Sequence, residues 1–284
     1  MFERFSRSWA LIKASASVLK QDKELLVFPL LSAISVVLVA ACFILPLFGL
    51  GALDGLTEDG GEAISPLAYG LAFLFYLAQY FVIFFFNTAL VGAAMIRLDG
   101  GDPTVRDGLR IASGKLGPIF GYAVIAATVG MLLRALQERA GWIGRWVAGL
   151  IGMAWTVASF LVVPILVTRD VGPIEAVKES ALLLKRTWGE NVIGQGGIGL
   201  VFGLINLLVV GLGIGLIFAA AMTKTAIVVG LAVAAMVIAL MLCALIQAAL
   251  SGIYSAALYR FASGEGETRG FDSDLLSQAF APKR

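Results

Sequence analysis

The chain has 284 residues, 60% apolar and only 14% charged, with 21 Lys and Arg against 19 Asp and Glu. A soluble domain carries about a quarter charged residues, and several uncharged runs here exceed the roughly 20 residues that cross a hydrocarbon core. A water-soluble fold is thereby excluded. The absence of histidine removes the commonest general base and metal ligand.

Lipid cannot satisfy backbone polar groups, so a spanning chain is helical or a closed barrel. The apolar runs are continuous rather than alternating, which selects an all-α integral membrane protein. Residues 1–20 place Phe2, Phe5, Trp9, Ile12, Ala16 and Leu19 on one helical face, with Arg4, Arg7, Lys13 and Lys20 off it. Such a basic amphipathic helix lies in the membrane interface, or packs on the protein's own cytoplasmic side. The two placements are compatible.

Six apolar segments follow, at about 25–52, 66–96, 117–137, 146–168, 197–222 and 225–258. The last would extend about 50 Å as a helix, so it tilts or protrudes. Val39-Ala-Ala-Cys42 resembles a lipoprotein cleavage box. Phe43-Ile-Leu-Pro-Leu-Phe48 continues the apolar run beyond it, so a retained span is expected. Cys42 and Cys243, far apart within apolar runs, read as inert buried thiols rather than a disulfide or zinc site.

With the N-terminus inside, seventeen of the 21 Lys and Arg fall in cytoplasmic segments. Arg134, Arg139, Arg145 and Lys224 fall outside. That bias follows the positive-inside rule and places both termini in the cytoplasm. The first outer loop, Asp54 to Glu62, is acidic. Residues 263–284 are polar and Gly-rich and read as a flexible cytoplasmic tail after a single transmembrane domain, 1–262.

The chain also echoes itself. Lys178-Glu-Ser-Ala-Leu-Leu-Leu-Lys185 matches Lys13-Ala-Ser-Ala-Ser-Val-Leu-Lys20, and Gly108-Leu-Arg-Ile-Ala112 resembles Ala176-Val-Lys-Glu-Ser180. Each copy precedes two spans. The expected architecture is six transmembrane helices with cytoplasmic interfacial amphipathic helices. They form a three-fold helix-plus-hairpin pseudo-repeat of units 1–96, 97–168 and 169–258, parallel about an axis along the membrane normal. Chance recurrence of short Lys/Ser/Ala/Leu strings is the competing account.

Polar residues at membrane depth face protein or a cavity rather than lipid. Span two carries Tyr76, Tyr80 and Asn87, with Gln79 beside them. Span six carries Gln247, Ser251 and Tyr254 after Cys243. Span five carries Asn206, and span four Trp155, Ser159 and Pro164. One reading is a polar pocket of Tyr76, Tyr80, Asn87, Asn206, Gln247, Ser251 and Tyr254 between spans two, five and six. The plainer reading is interhelical hydrogen bonding, worth about 0.6 kcal/mol each on average. No ionisable residue lies deep in a span, which argues against a coupled pump.

Gly117-Pro-Ile-Phe-Gly121, Gly199-Leu-Val-Phe-Gly203 and Gly211-Leu-Gly-Ile-Gly215 permit close helix approach. Gly194-Gln-Gly-Gly-Ile-Gly199 matches a dinucleotide fingerprint in letters only, since that mechanism needs a preceding strand. Asp107-Gly-Leu-Arg-Ile-Ala112 begins like a lipid-alcohol phosphotransferase motif but lacks its further aspartates. The mixed charges of the cytoplasmic segments read as solvated faces and headgroup contacts.

Ser8-Trp9, Asp22 to Ser32, Phe84 to Leu90, Gly100 to Ala112 and Gly172 to Glu190 together resemble an uncharacterised family of bacterial six-span membrane proteins. That family is loosely related to the membrane domain of glycerophosphodiester phosphodiesterases. The resemblance implies a location in the bacterial cytoplasmic (inner) membrane and six spans, and no activity. The sequence shows no counterpart of the phosphodiesterase barrel, so that chemistry is not expected.

The expected function is non-enzymatic, with a structural, assembly or envelope-related role. The alternative is a passive channel, permease or lipid-handling transporter using the polar faces of spans two, five and six. No catalytic residue, cofactor or metal is expected. The expected partners are membrane lipids and a second copy or another membrane protein, not nucleic acid.

Overall fold

Inside a bilayer each N–H must bond within its own segment, so every apolar run becomes a helix. A computed structural model describes residues 2–49, 66–139, 141–188 and 193–264. The elements are α1 (Phe2–Gln21), a 3-10 turn (Lys23–Leu26), α2 (Val27–Gly49), α3 (Pro66–Leu98), α4 (Val105–Ser113) and α5 (Leu116–Arg139). They continue as α6 (Trp142–Ala158), α7 (Val162–Thr168), α8 (Pro173–Trp188), α9 (Ile193–Met222) and α10 (Ala226–Ser263). Among the described residues there is no strand. The glycine run at 194–199 therefore opens a helix and has no dinucleotide-binding frame.

Six stretches are long and apolar enough to cross a membrane: Lys23–Pro46, Tyr69–Leu98, Leu116–Glu138, Gly144–Thr168, Val201–Met222 and Ala226–Ser263. The described residues are thus almost entirely helical, with six helices long and apolar enough for a multi-pass membrane protein. The expected acidic outer loop and the tail beyond Gly264 lie outside the described residues, as do the side chains of α1 before Ile12. Cys42 departs from expectation: it is exposed on α2, where the helix presents one face outward, while Cys243 is half-buried.

Span four is broken. α6 ends at Ala158 and α7 begins at Val162. Pro164 explains the position: it has no N–H to donate, and its ring clashes with the carbonyl four residues earlier, at Phe160. Leu161 N–H is left without a helical acceptor and instead donates to Ser180 Oγ of α8 at 3.0 Å, fully buried.

The short helices interlock with the spans around a closed circuit. α4 packs on α3, α8 packs on α5, α6 and α7, and α1 packs on α9 and α10. Each thus covers the hairpin before it in the chain, with α1 returning to the last. The three closing helices α3, α7 and α10 touch one another at the centre. Their buried blocks, Thr88–Met95, Leu161–Leu166 and Gly252–Tyr259, form the core. Gly108 of α4 shows how close the approach is: a Cβ there would lie 2.6 Å from Ala89 O and 2.5 Å from Phe28 Cζ.

A charged layer caps this end. Arg97 pairs with Asp102, Arg260 with Asp99, Arg169 with Glu179 and Lys115 with Asp170. Val105 N–H donates to Glu24. Thr104 and Asp107 close a capping box at the start of α4, the reciprocal arrangement that satisfies two orphan donors.

Candidate intramembrane pocket

At the edge of the three buried blocks lies a pocket of about 360 Å³ between the central helices. Its polar wall is Ser32 from α2, Asn87 from α3, Tyr122 from α5, Thr156 and Ser159 around the end of α6, and Ser251 and Ser255 from α10. Phe28, Phe84, Phe86, Leu90, Phe160 and Val163 supply the apolar wall. Among the described residues no carboxylate, ammonium or guanidinium group lines it.

The depth follows from helix rise. Asn87 lies ten residues before Arg97 and Ser251 nine before Arg260, so the pocket stands about 15 Å from the charged layer. That is about half of a 30 Å hydrocarbon core. Ile83, Thr156 and Ala248 at its rim are exposed, so it communicates with the lateral surface of the bundle.

Three of the hydroxyls stay at this depth by satisfying their own helix. Thr156 Oγ1 donates to Gly152 O at 2.9 Å, Ser159 Oγ to Trp155 O at 2.8 Å and Ser255 Oγ to Gly252 O at 2.8 Å. Their lone pairs remain available to a guest. Tyr122 stacks on Phe84 with ring centroids 4.3 Å apart, and its hydroxyl lies beside Ser159. Asn87 Oδ1 faces Gly252, where a Cβ would lie only 3.6 Å away. Such a wall offers acceptors, an amide donor and aromatic surface, which suits an uncharged polar or amphiphilic guest.

Of the residues singled out by sequence, Asn87 and Ser251, with Ser159 of span four, meet in this pocket. Tyr254 lies one turn further into the core, fully buried against Phe160 with ring centroids 6.1 Å apart. Its hydroxyl has no partner among the described residues. Tyr80 stacks on Phe84 at 5.7 Å, a step outward from the pocket. Tyr76 is further out still and accepts from Arg134 Nη1 at 2.5 Å, while Arg134 Nε donates to Glu138 at 2.8 Å. Gln79 turns to α2 and donates to Val36 O at 3.1 Å. Asn206 and Gln247 are half-buried on α9 and α10, and neither is among the lining residues.

Ser32, Tyr122, Thr156 and Ser255 were not singled out. A hydroxyl bonded to its own helix leaves no mark in a sequence, because Ser and Thr back-bond wherever they occur in a span. Among the described residues no group of three or more His, Cys, Asp or Glu is placed to hold a metal ion.

Residues 67–270 match the model of DUF6159, a family of unknown function. The chain belongs to this family. No curated protein matches it. The DUF6159 region runs from the start of α3 through α10. It therefore carries every polar wall residue of the pocket except Ser32.

Proposed function

We propose that this DUF6159 protein handles an uncharged polar or amphiphilic molecule, such as a lipid with a hydroxyl-bearing headgroup, within the bilayer. The observation that carries this reading is the pocket itself: mid-membrane, open to the lateral surface, its polar wall made of hydroxyls and one amide, with no formal charge among the described lining residues. Among the functions expected from sequence, this is the lipid-handling transporter. Its wall differs from the expected one, being built from spans one, two, three, four and six. The role is non-enzymatic, and the likeness to phosphodiesterase membrane domains lends it no chemistry.

The circuit of short helices supports reading the chain as three helix-plus-hairpin units. α1, α4 and α8 serve as amphipathic collars that hold the central helices at one end. Their buried small residues correspond: Ser15, Ala112 and Ser180 are all fully buried. The positive-inside bias supports an orientation with the charged layer and both termini in the cytoplasm; a bacterial inner membrane is proposed with it on the family resemblance alone. The partners under this reading are membrane lipids, with a second copy as a further one. A structural or assembly role is favoured by the same charged collar, which offers a soluble or membrane partner a preformed face.

Movement of fluorescent phospholipids across proteoliposomes tests the proposal. Asn87→Leu, in the pocket wall, is expected to abolish movement above the protein-free rate. Gln247→Leu, outside the lining, is expected to retain it. Wild-type protein that moves no lipid faster than empty vesicles, or equal loss in both variants, sinks the lipid-handling role.

A further inference from the structure

The circuit is closed at one end of the bundle and open at the other. α2, the first span of its hairpin, packs on α10, and α5 packs on α3. The matching contact would set α9 against α6 or α7. Among the described residues α9 packs instead on α10 and α1. The flank of α6 is left uncovered: Trp142, Trp146, Leu150 and Met153 are 70%, 69%, 58% and 60% exposed.

An open groove of about 630 Å³ runs along this flank, its described wall being Trp142, Arg145, Trp146, Gly149, Leu150 and Met153. The spacing of three and four residues puts them on one face of α6. The face grades from polar to apolar. Its outer end holds two indoles and a guanidinium, and its inner part is aliphatic. Tryptophan gathers where headgroups meet acyl chains, and a basic group beside an apolar helix surface binds anionic headgroups. Arg145 has no carboxylate partner among the described residues. Gly141 gives α6 no side-chain cap, so the positive helix end adds the same sign of potential.

We infer that this groove is a binding site for an anionic glycerophospholipid of the leaflet opposite the charged layer. Its phosphate sits at Arg145 between Trp142 and Trp146, and an acyl chain lies over Gly149, Leu150 and Met153. A second copy is the poorer occupant. A two-fold contact through this face would bring one Arg145 towards another, and among the described residues that line the groove there is no carboxylate to neutralise them. Met153 stands one turn above Thr156, so the chain end would reach the rim of the pocket. Occupancy of the groove does not depend on transport through that pocket, and the test reads binding alone.

The test uses the full-length protein in phosphatidylcholine vesicles with a minor fraction of lipid brominated on its acyl chain. Brominated phosphatidylglycerol is expected to quench the fluorescence of Trp142 and Trp146 several-fold more than brominated phosphatidylcholine. Trp142→Phe and Trp146→Phe assign the signal. Arg145→Gln is expected to abolish the headgroup preference, Arg145→Lys to keep most of it, and Lys224→Gln, another cation on the same side, to leave it unchanged. Equal quenching by both headgroups marks ordinary boundary lipid and overturns the site. So does a preference that survives Arg145→Gln, or one lost equally in Lys224→Gln. Quenching that falls as protein density rises would mean that a second copy covers the groove, and would also overturn it.

Discussion

The two halves of the bundle are built differently. Towards the charged layer the central helices bury nearly every residue: Ala89, Val91, Ala94, Leu161, Ile165, Ile253 and Ala257 are all inaccessible. Towards the other end, α9 and α10 pack mainly on each other. Leu212, Phe218, Met222 and Ile227 stand 68–80% exposed. Every span is apolar from end to end, so hydropathy alone does not mark where packing is tight. What separates them is the collar. Without a hydrophobic drive between helices in lipid, association depends on close packing and polar contacts. α1, α4 and α8 supply those at one end only. The pocket lies at the boundary, where the tight half releases the helices.

The sharpest way to break this contrast is to add atoms. Gly108→Val would drive a side chain into Ala89 O and Phe28, both under 3 Å from an added Cβ. A backbone carbonyl cannot move aside, and overpacking of this kind costs about 3 kcal/mol. The same change at Gly211 meets nothing within 4 Å and should stay within about 0.5 kcal/mol of wild type. Thermal melts in detergent measure both. Equal losses would show that the outer half is as tightly packed as the inner.

Removing one atom tests the collar itself. In Ser180→Ala, Leu161 N–H loses the acceptor it has among the described residues, and an orphaned buried donor costs about 1–3 kcal/mol. Hydrogen exchange should rise at Leu161 before it rises elsewhere in α7. Unchanged protection there would mean that the broken span closes on itself without α8.

The sequence announces some of this and conceals the rest for physical reasons. The six spans are legible because length and hydropathy alone decide them, and their observed edges fall within a few residues of the expected ones. The exceptions are the end of the first span, at Pro46 rather than 52, and the end of α10, which continues to Ser263 rather than 258. Pro164 stands in the sequence as a warning of the broken span, yet the partner that tolerates the break, Ser180, lies on another helix. Asn87 and Ser251 were legible as polar groups at depth. Asn206 and Gln247 carried the same signal and lie elsewhere, because periodicity gives a helix its faces but not its neighbours. The placement of α9 beside α10 and α1 is a tertiary choice that no single span encodes.

Ion pairs sharpen the contrast at lower energy. Arg260 of the inner layer is only 12% exposed at its side chain, with Asp99 at 63%. Arg134 and Glu138 of the outer half are 63% and 60% exposed. Arg260→Gln is expected to cost about 1 kcal/mol, and Arg134→Gln only a few tenths, since solvent screens an exposed pair. Raising the salt concentration should weaken the outer pair and leave the inner one nearly intact. The opposite salt response would mean that the charged layer is wetter than its packing implies.

The smallest effect is a pH dependence, and it too belongs to the collar. Asp22 precedes the 3-10 turn and is 5% exposed. Its Oδ1 accepts from Glu24 N–H at 3.2 Å, while Oδ2 is buried without a partner among the described residues. Burial raises its pKa above the ordinary 3.8 and outweighs the Glu24 N–H and Arg97, which lower it; Glu24 and Asp102 raise it further. The folded state therefore holds this proton more tightly than the unfolded chain. Stability falls as pH rises from 3.8 through the folded value, then levels off. Asp107 acts in the opposite sense. The Thr104 hydroxyl and N–H hold it below 3.8, so its contribution is present above that value and disappears in acid. Asp22→Asn keeps the acceptor for Glu24 and removes the charge. It should therefore match wild type in acid and melt higher near neutral pH. If the two melting curves stay parallel across that range, the Asp22 carboxylate is solvated, and the inner layer is open at the point where α1 hands over to the first span.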